Sequence, residues 1–233
     1  ALSKLEERIR RWRIIPDTHI LLSLFGSGEE DHDEVKSLVR AWTGAGGMLL
    51  AVAPVIEEVM RHADIGYSIA ERWSGYYHLK KAGQKPPCPD TNVFLRSIIQ
   101  KRGRRVAPGN VLTYVGDFGS RSRMNLGKLL ITLRDNYGFK VVNDPINLSQ
   151  DLFERLLRAI VQQRNPFSIR DERRKENAQF RCATDARCLA HLAAYRGQVS
   201  DFESTIVILS NCTDLREVCE THRMDLGHAA PYM

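Results

Sequence analysis

The stretch Arg13-Ile14-Ile15-Pro16-Asp17-Thr18-His19-Ile20-Leu21-Leu22 decides how the rest of the chain is read. An apolar run ends at an acid, a threonine follows, and a second apolar run begins. This is the pattern of a buried strand that carries a carboxylate to the carboxyl edge of a parallel sheet and then feeds a helix. Ligands of open α/β sheets bind at that edge. Asp-Thr is also good helix N-cap chemistry, so Asp17 alone establishes no site. Its meaning depends on whether other acids stand at equivalent places.

Working outward, Leu2 to Trp12 reads as a short helix with Leu2, Leu5 and Ile9 on one face, and Trp12 to Ile15 as the first strand. Gly26-Ser27-Gly28 breaks the helix that starts at His19. The acidic run Glu29-Glu30-Asp31-His32-Asp33-Glu34 reads as the solvated first turn of another helix, because acids favour a helix N-terminus. Met48 to Ala53 is a second buried strand. Pro54 suits the first position of a helix, and Glu57 and Glu58 fall in its first turns. Strand, acid, helix, strand, acid, helix is the grammar of βαβ units and predicts an α/β fold.

Further on, Leu126 to Leu133 reads as a helix, Phe139 to Val142 as a short strand, and Leu148 to Gln162 as an amphipathic helix. Cys182 to Ala193 reads as a capped helix with Asp185 in its first turn, ended by Gly197. Ser204 to Leu209 is rich in β-branched residues and is the most strand-like segment. Asp214 lies just beyond it, ahead of a helix from Leu215 to Thr221.

The charge is uneven. The 233 residues carry a net charge of +6, compatible with a nucleic-acid partner. Basic residues concentrate between Gly75 and Arg174, most densely at Lys101-Arg102-Gly103-Arg104-Arg105, which reads either as a solvated loop or as a nucleic-acid contact. The five cysteines, Cys88, Cys182, Cys188, Cys212 and Cys219, are odd in number and form no Cys-x-x-Cys pair. That pattern argues for core thiols in a reducing, cytoplasmic compartment and against a zinc knuckle. The longest apolar run, Met48 to Ile56, is too short to cross a bilayer, and no secretory signal is visible. A Gly-x-x-x-x-Gly-Lys-Ser/Thr loop and a Gly-x-Ser-x-Gly elbow are both absent, which leaves ATP chemistry and serine hydrolysis without support. His62 and His78 lack ligand-like spacing, and His191 reads as a packing residue.

Asp17, Glu57 or Glu58, Asp185 and Asp214 thus stand at strand ends or helix starts that a parallel sheet places along one edge. Gathered carboxylates repel one another and need a cation. An all-oxygen donor set suits Mg2+ or Mn2+ better than zinc.

On these residues the chain resembles the PIN-domain nucleases. Ile14 to Leu22 resembles the family's opening motif, with His19 in place of Asn. Val55-Ile56-Glu57-Glu58-Val59 resembles the second motif and favours Glu58. Thr184-Asp185-Ala186-Arg187-Cys188-Leu189 resembles the third, and Ile206-Val207-Ile208-Leu209-Ser210-Asn211 the last strand and its Ser/Thr-Asn. The chain departs from the family at Cys212, where an Asp belongs. Asp214, two residues on, would face the same way in extended chain. Pro89-Asp90-Thr91-Asn92 matches the opening motif more closely by letters, but no strand precedes it, so Asp90 reads as a helix cap.

The resemblance implies a three-layer α/β/α sandwich around a mostly parallel sheet. Its core would span 1–75 and 176–233, with a basic, mainly helical insertion at 76–175. It implies a metal-dependent endonuclease, with RNA favoured over DNA. Asp17, Glu58, Asp185 and Asp214 would hold Mg2+ or Mn2+, and a water activated there would attack the phosphodiester in line. Thr18, Ser210 and Asn211 would orient acids or phosphate, and Lys101, Arg102, Arg104 and Arg105 would grip the substrate. The alternative from another class is a nucleic-acid-binding module that keeps the fold without the chemistry. The start at Ala1 also permits an effector domain regulated by an inhibitory or fused partner.

Overall fold

The computed structural model describes residues 2–27, 29–79, 92–102, 119–120, 123–124, 126–142, 148–198, 205–210, 212–223 and 225–226. In chain order the elements are α1 (Leu2–Arg11), β1 (Trp12–Pro16), α2 (Thr18–Phe25), α3 (His32–Gly44), β2 (Met48–Ala51), α4 (Ala53–Leu79) and α5 (Val93–Arg102). There follow β3 (Gly119–Ser120), β4 (Arg123–Met124), α6 (Leu126–Tyr137), β5 (Phe139–Val141), α7 (Gln150–Arg164), a 3-10 turn (Pro166–Ser168), α8 (Glu172–Gln198), β6 (Thr205–Leu209) and α9 (Thr213–Thr221). The chain forms two compact units. The first comprises Ala1–Asp17, Trp42–Glu58 and Phe139–Met233, the second Thr18–Ala41 and Val59–Gly138.

The first unit holds a four-stranded sheet in the order β5-β2-β1-β6. All three of its strand pairs are parallel. β1 pairs with β6 along its whole length, from Trp12 opposite Thr205 to Pro16 opposite Leu209. Consecutive residues are buried in every long strand: Ile14 and Ile15, Leu49 to Ala51, Ile206 to Ile208. Because neighbours in a strand face opposite ways, both faces of the sheet are covered. Burying each such aliphatic side chain stabilises the fold by about 1.5–3 kcal/mol.

The chain leaves β1 toward β2 on one side and returns as β6 on the other. That reversal makes the carboxyl ends of β1 and β6 a topological switch point, the place where α/β sheets open a crevice.

Helices α7, α8 and α9 frame that edge within the same unit. Ser149 caps α7, its hydroxyl accepting from the Leu152 N–H at 3.2 Å. At the other end Asn165 takes the left-handed conformation (φ 42°, ψ 57°) and Pro166 follows, so α7 stops at Arg164. Helix α8 buries Cys182, Ala186, Leu189 and Leu192, a stripe at helical spacing. Near its end Arg196 donates through Nε and Nη2 to the Ile206 carbonyl (2.9 and 2.5 Å) and through Nη1 to the Leu226 carbonyl (2.7 Å).

Several expectations change. Asp185 lies near the middle of α8, not in the first turn of a helix, because α8 begins at Glu172. The polar stretch Glu172 to Arg181 is its exposed N-terminal half. β5 and α7, inside the range read as an insertion, belong to the first unit, and β5 pairs with β2 in the central sheet. In the second unit the acidic run is not simply solvated. Asp33 and Glu34 are exposed in the first turn of α3, but Glu29 takes both Nε and Nη2 of Arg96 at 2.8 and 2.7 Å. Asn92 caps α5: its Oδ1 accepts from the Phe94 and Leu95 N–H groups, and its Nδ2 donates to the His62 carbonyl at 2.8 Å. A Cβ at Gly66 would sit 2.7 Å from that Oδ1, so the close seat requires glycine. Asp90 and Cys88 lie outside the described residues. Among the described residues no helix is long and apolar enough to cross a membrane.

Candidate active site

Asp17 follows the last residue of β1 and is half-buried. Its backbone N–H donates to the Leu209 carbonyl at 2.9 Å, which extends the β1–β6 ladder by one bond. Its carboxylate accepts a hydrogen bond from the Ser210 hydroxyl at the end of β6. Ser210 Oγ in turn accepts from the Cys212 N–H at 3.1 Å. A backbone amide thus orients a hydroxyl, and the hydroxyl orients the carboxylate. Two strand ends 193 residues apart in sequence hold one acid at the switch point.

Two adjacent glutamates open α4, and they part ways. Glu58 is 6% exposed. Glu57 is exposed and pairs with Arg187 Nη1 of α8 at 2.6 Å. The helix turn separates them by about 100°, so one points in and the other lies on the surface.

Asp185 comes in from α8. Its Oδ2 accepts from Arg164 Nη1 at 2.5 Å. The same guanidinium donates through Nη2 to Cys212 Sγ at 3.1 Å, and its Nε stands 3.5 Å from Asp214 Oδ2. Asp214 lies in the first turn of α9 and is about half exposed. It therefore joins the group through Arg164, not by the strand alternation considered for an extended chain.

The electrostatics tie these acids together. Burial pushes the Asp185 carboxyl above the ordinary carboxylate range; Arg164 opposes that shift and the charge of Asp17 adds to it. Burial works against the charged guanidinium of Arg164, but Asp185 and Cys212 outweigh it and raise its pKa. Cys188, one turn after Asp185, is fully buried, and its thiol is held well above the usual range. Burial is the main cause, followed by the charges of Asp185, Glu58 and Asp17. Three carboxylates from β1, α4 and α8 are thus in electrostatic reach of one thiol.

The remaining candidates are dispersed or undescribed. Thr18 is the half-buried first residue of α2. Lys101 and Arg102 close α5. Asn211, Arg104 and Arg105 lie outside the described residues. His191 is buried and stacks edge-on against Tyr195, ring centroids 6.0 Å apart. Cys182, Cys188 and Cys219 are buried free thiols and Cys212 is half-buried. Arg164 was invisible to motif reading. The Arg-Asn-Pro sequence marks a helix end, but nothing local says which distant acid its last side chain meets. Among the described residues no group of three or more His, Cys, Asp or Glu side chains is disposed to hold a metal ion together.

Comparison with known proteins gives no match: no family model, curated protein or solved structure matches the chain significantly.

Proposed function

We propose that the chain is a PIN-like, metal-dependent endonuclease built as a three-layer α/β/α sandwich, acting on RNA in preference to DNA in the reducing cytoplasm. The observation that carries this reading is the convergence of Asp17, Glu58 and Asp185 on Cys188 at the switch point of a parallel sheet. An all-carboxylate donor set with excess negative charge fits a hard divalent cation in kind. Asp17, Glu58 and Asp185 would hold it, with Asp214 on the exposed side.

Bound Mg2+ or Mn2+ would supply Lewis-acid activation of water and neutralise charge on the phosphoryl group. The chain's own residues do the rest. Ser210, itself fixed by the Cys212 N–H, keeps the Asp17 carboxylate aimed. The cover on both sheet faces limits access to the carboxyl edge. The basic residues Lys101, Arg102, Arg104 and Arg105 supply phosphate attraction that depends on salt but not on sequence.

The test is Mn2+-dependent cleavage of a fluorescent single-stranded RNA. Asp17→Asn should lower the rate by at least about a hundredfold while a thermal melt shows the fold retained. Cleavage unchanged in that variant sinks the proposal.

One observation favours a second reading. Arg164 already gives Asp185 a cation, as a module that binds nucleic acid without cutting it would require. Binding of the same RNA with no cleavage under Mg2+ or Mn2+ selects that module.

A further inference from the structure

Arg164 is the charged partner that the acid pattern does not explain. It ends α7, and its three nitrogens address three groups from two other helices and the turn before one of them: Asp185 at 2.5 Å, Cys212 Sγ at 3.1 Å and Asp214 at 3.5 Å. We infer that Arg164 is a latch, a resident guanidinium that occupies Asp185 and must leave it before a divalent ion can bind there. The inference rests on the metal-site reading of Asp17, Glu58 and Asp185.

Three features support it. A carboxylate oxygen that accepts a short charge-assisted bond has its lone pairs committed, and a hard cation needs those same lone pairs. The three contacts are also unequal. Only the Asp185 bond is short; a thiol is a weak acceptor, and 3.5 Å is a loose ion pair. One strong seat beside two soft ones is the arrangement of a group that can shift. Finally, Asp214 offers somewhere to go. Its side chain is 49% exposed against 22% for Asp185, so a displaced guanidinium keeps a carboxylate partner while gaining water. The position at a helix end, before a left-handed Asn165, leaves the Arg164 side chain free of a following helical turn.

The experiment measures Mn2+ binding by calorimetry and by electron paramagnetic resonance, without substrate. The proteins are the unaltered chain, Arg164→Met, Arg164→Lys and Asp185→Asn. Removing a charge-assisted bond from Asp185 should tighten Mn2+ binding in Arg164→Met by about tenfold or more. Arg164→Lys should fall between it and the unaltered chain, since a lysine cannot span the three partners. Asp185→Asn should lose binding. Equal or weaker binding in both Arg164 variants, with binding still lost in Asp185→Asn, overturns the latch and leaves the metal site standing. Absence of Mn2+ binding in every protein removes the metal site and the latch together.

A second measurement needs no variant. On titration of the unaltered chain with Mg2+, the Arg164 Nε–H resonance should move with the same midpoint as metal binding. A resonance that stays in place at saturating Mg2+ overturns the latch.

Discussion

Two parts of the chain are rich in acids, and they are built in opposite ways. In the second unit the run Glu29 to Glu34 is dense in sequence but locally balanced. Glu29 has a two-pronged bond from Arg96, and His19 stands 3.6 Å from Asp31. Together with Glu30 these residues line a cavity of about 480 Å3. In the first unit Asp17, Glu58, Asp185 and Asp214 are scattered over nearly two hundred residues, yet they gather at one sheet edge. Their single short ion pair among the described contacts is that between Asp185 and Arg164. Acid density along a chain reports on local solvation. Acid density in space comes from topology, and repulsion between side chains appears only there.

The sharpest way to break this comparison is to remove one acid from each place. Asp185→Asn should cut Mn2+-dependent cleavage by at least about a hundredfold, whereas Glu29→Gln should leave it within about twofold of the unaltered chain, as expected for an ion pair outside the reacting centre. Equal losses measured in one RNA-cleavage assay would erase the distinction between the clusters.

Ser210→Ala comes next. It leaves Asp17 in place but deletes the hydroxyl that orients it, and supporting partners of this kind are worth about 10–100-fold. A fall in kcat with the melting temperature held would locate the effect at the site and not in the fold.

For stability, Arg196→Met should cost about 1–3 kcal/mol by chemical denaturation, because the Ile206 and Leu226 carbonyls lose a charged donor. Asn92→Ala in the second unit should cost about 0.5–2 kcal/mol through loss of the α5 cap. If the order reverses, the β6 clamp is weaker than its three bonds imply.

The smallest effect concerns pH. The hydrogen bond with His222, then that from Arg155, holds the Asp225 carboxyl below its ordinary value of 3.8. A folded value below the unfolded one stabilises the fold fully above 3.8 and is lost as pH falls through the folded value. Asp225→Asn should therefore flatten the acid limb of the stability curve below pH 3.8. An unchanged limb contradicts this.

Much of the framework was legible in the sequence because it depends on local periodicity. The runs at Ile14–Ile15, Leu49–Leu50 and Ile206–Ile208 are continuous, β-branched or aliphatic, and bounded by breakers, which is how strands covered on both faces read. Even the three-residue β5 stands out through Phe139 after Gly138. The length of α8 did not read, because its first half presents Arg, Glu and Asn to solvent and offers no apolar stripe until Cys182. That hid the position of Asp185. At the site, the acids read through their places at strand ends, but their counter-charge did not. Arg164 meets Asp185 across 21 residues because α7 and α8 pack together, and no local pattern encodes a pairing set by helix packing. The same limit hid the division of labour between Glu57 and Glu58, which depends on where Arg187 stands on α8.

The thiol of Cys188 lends itself to a different use. Alkylating reagents attack the ionised sulfur, and here burial and three nearby anions suppress that form. Labelling must await a transient lifting of α8 away from its neighbours, so mass mapping of this one position over time would count those openings. The heart of the acidic crevice thus carries a built-in stopwatch for its own breathing.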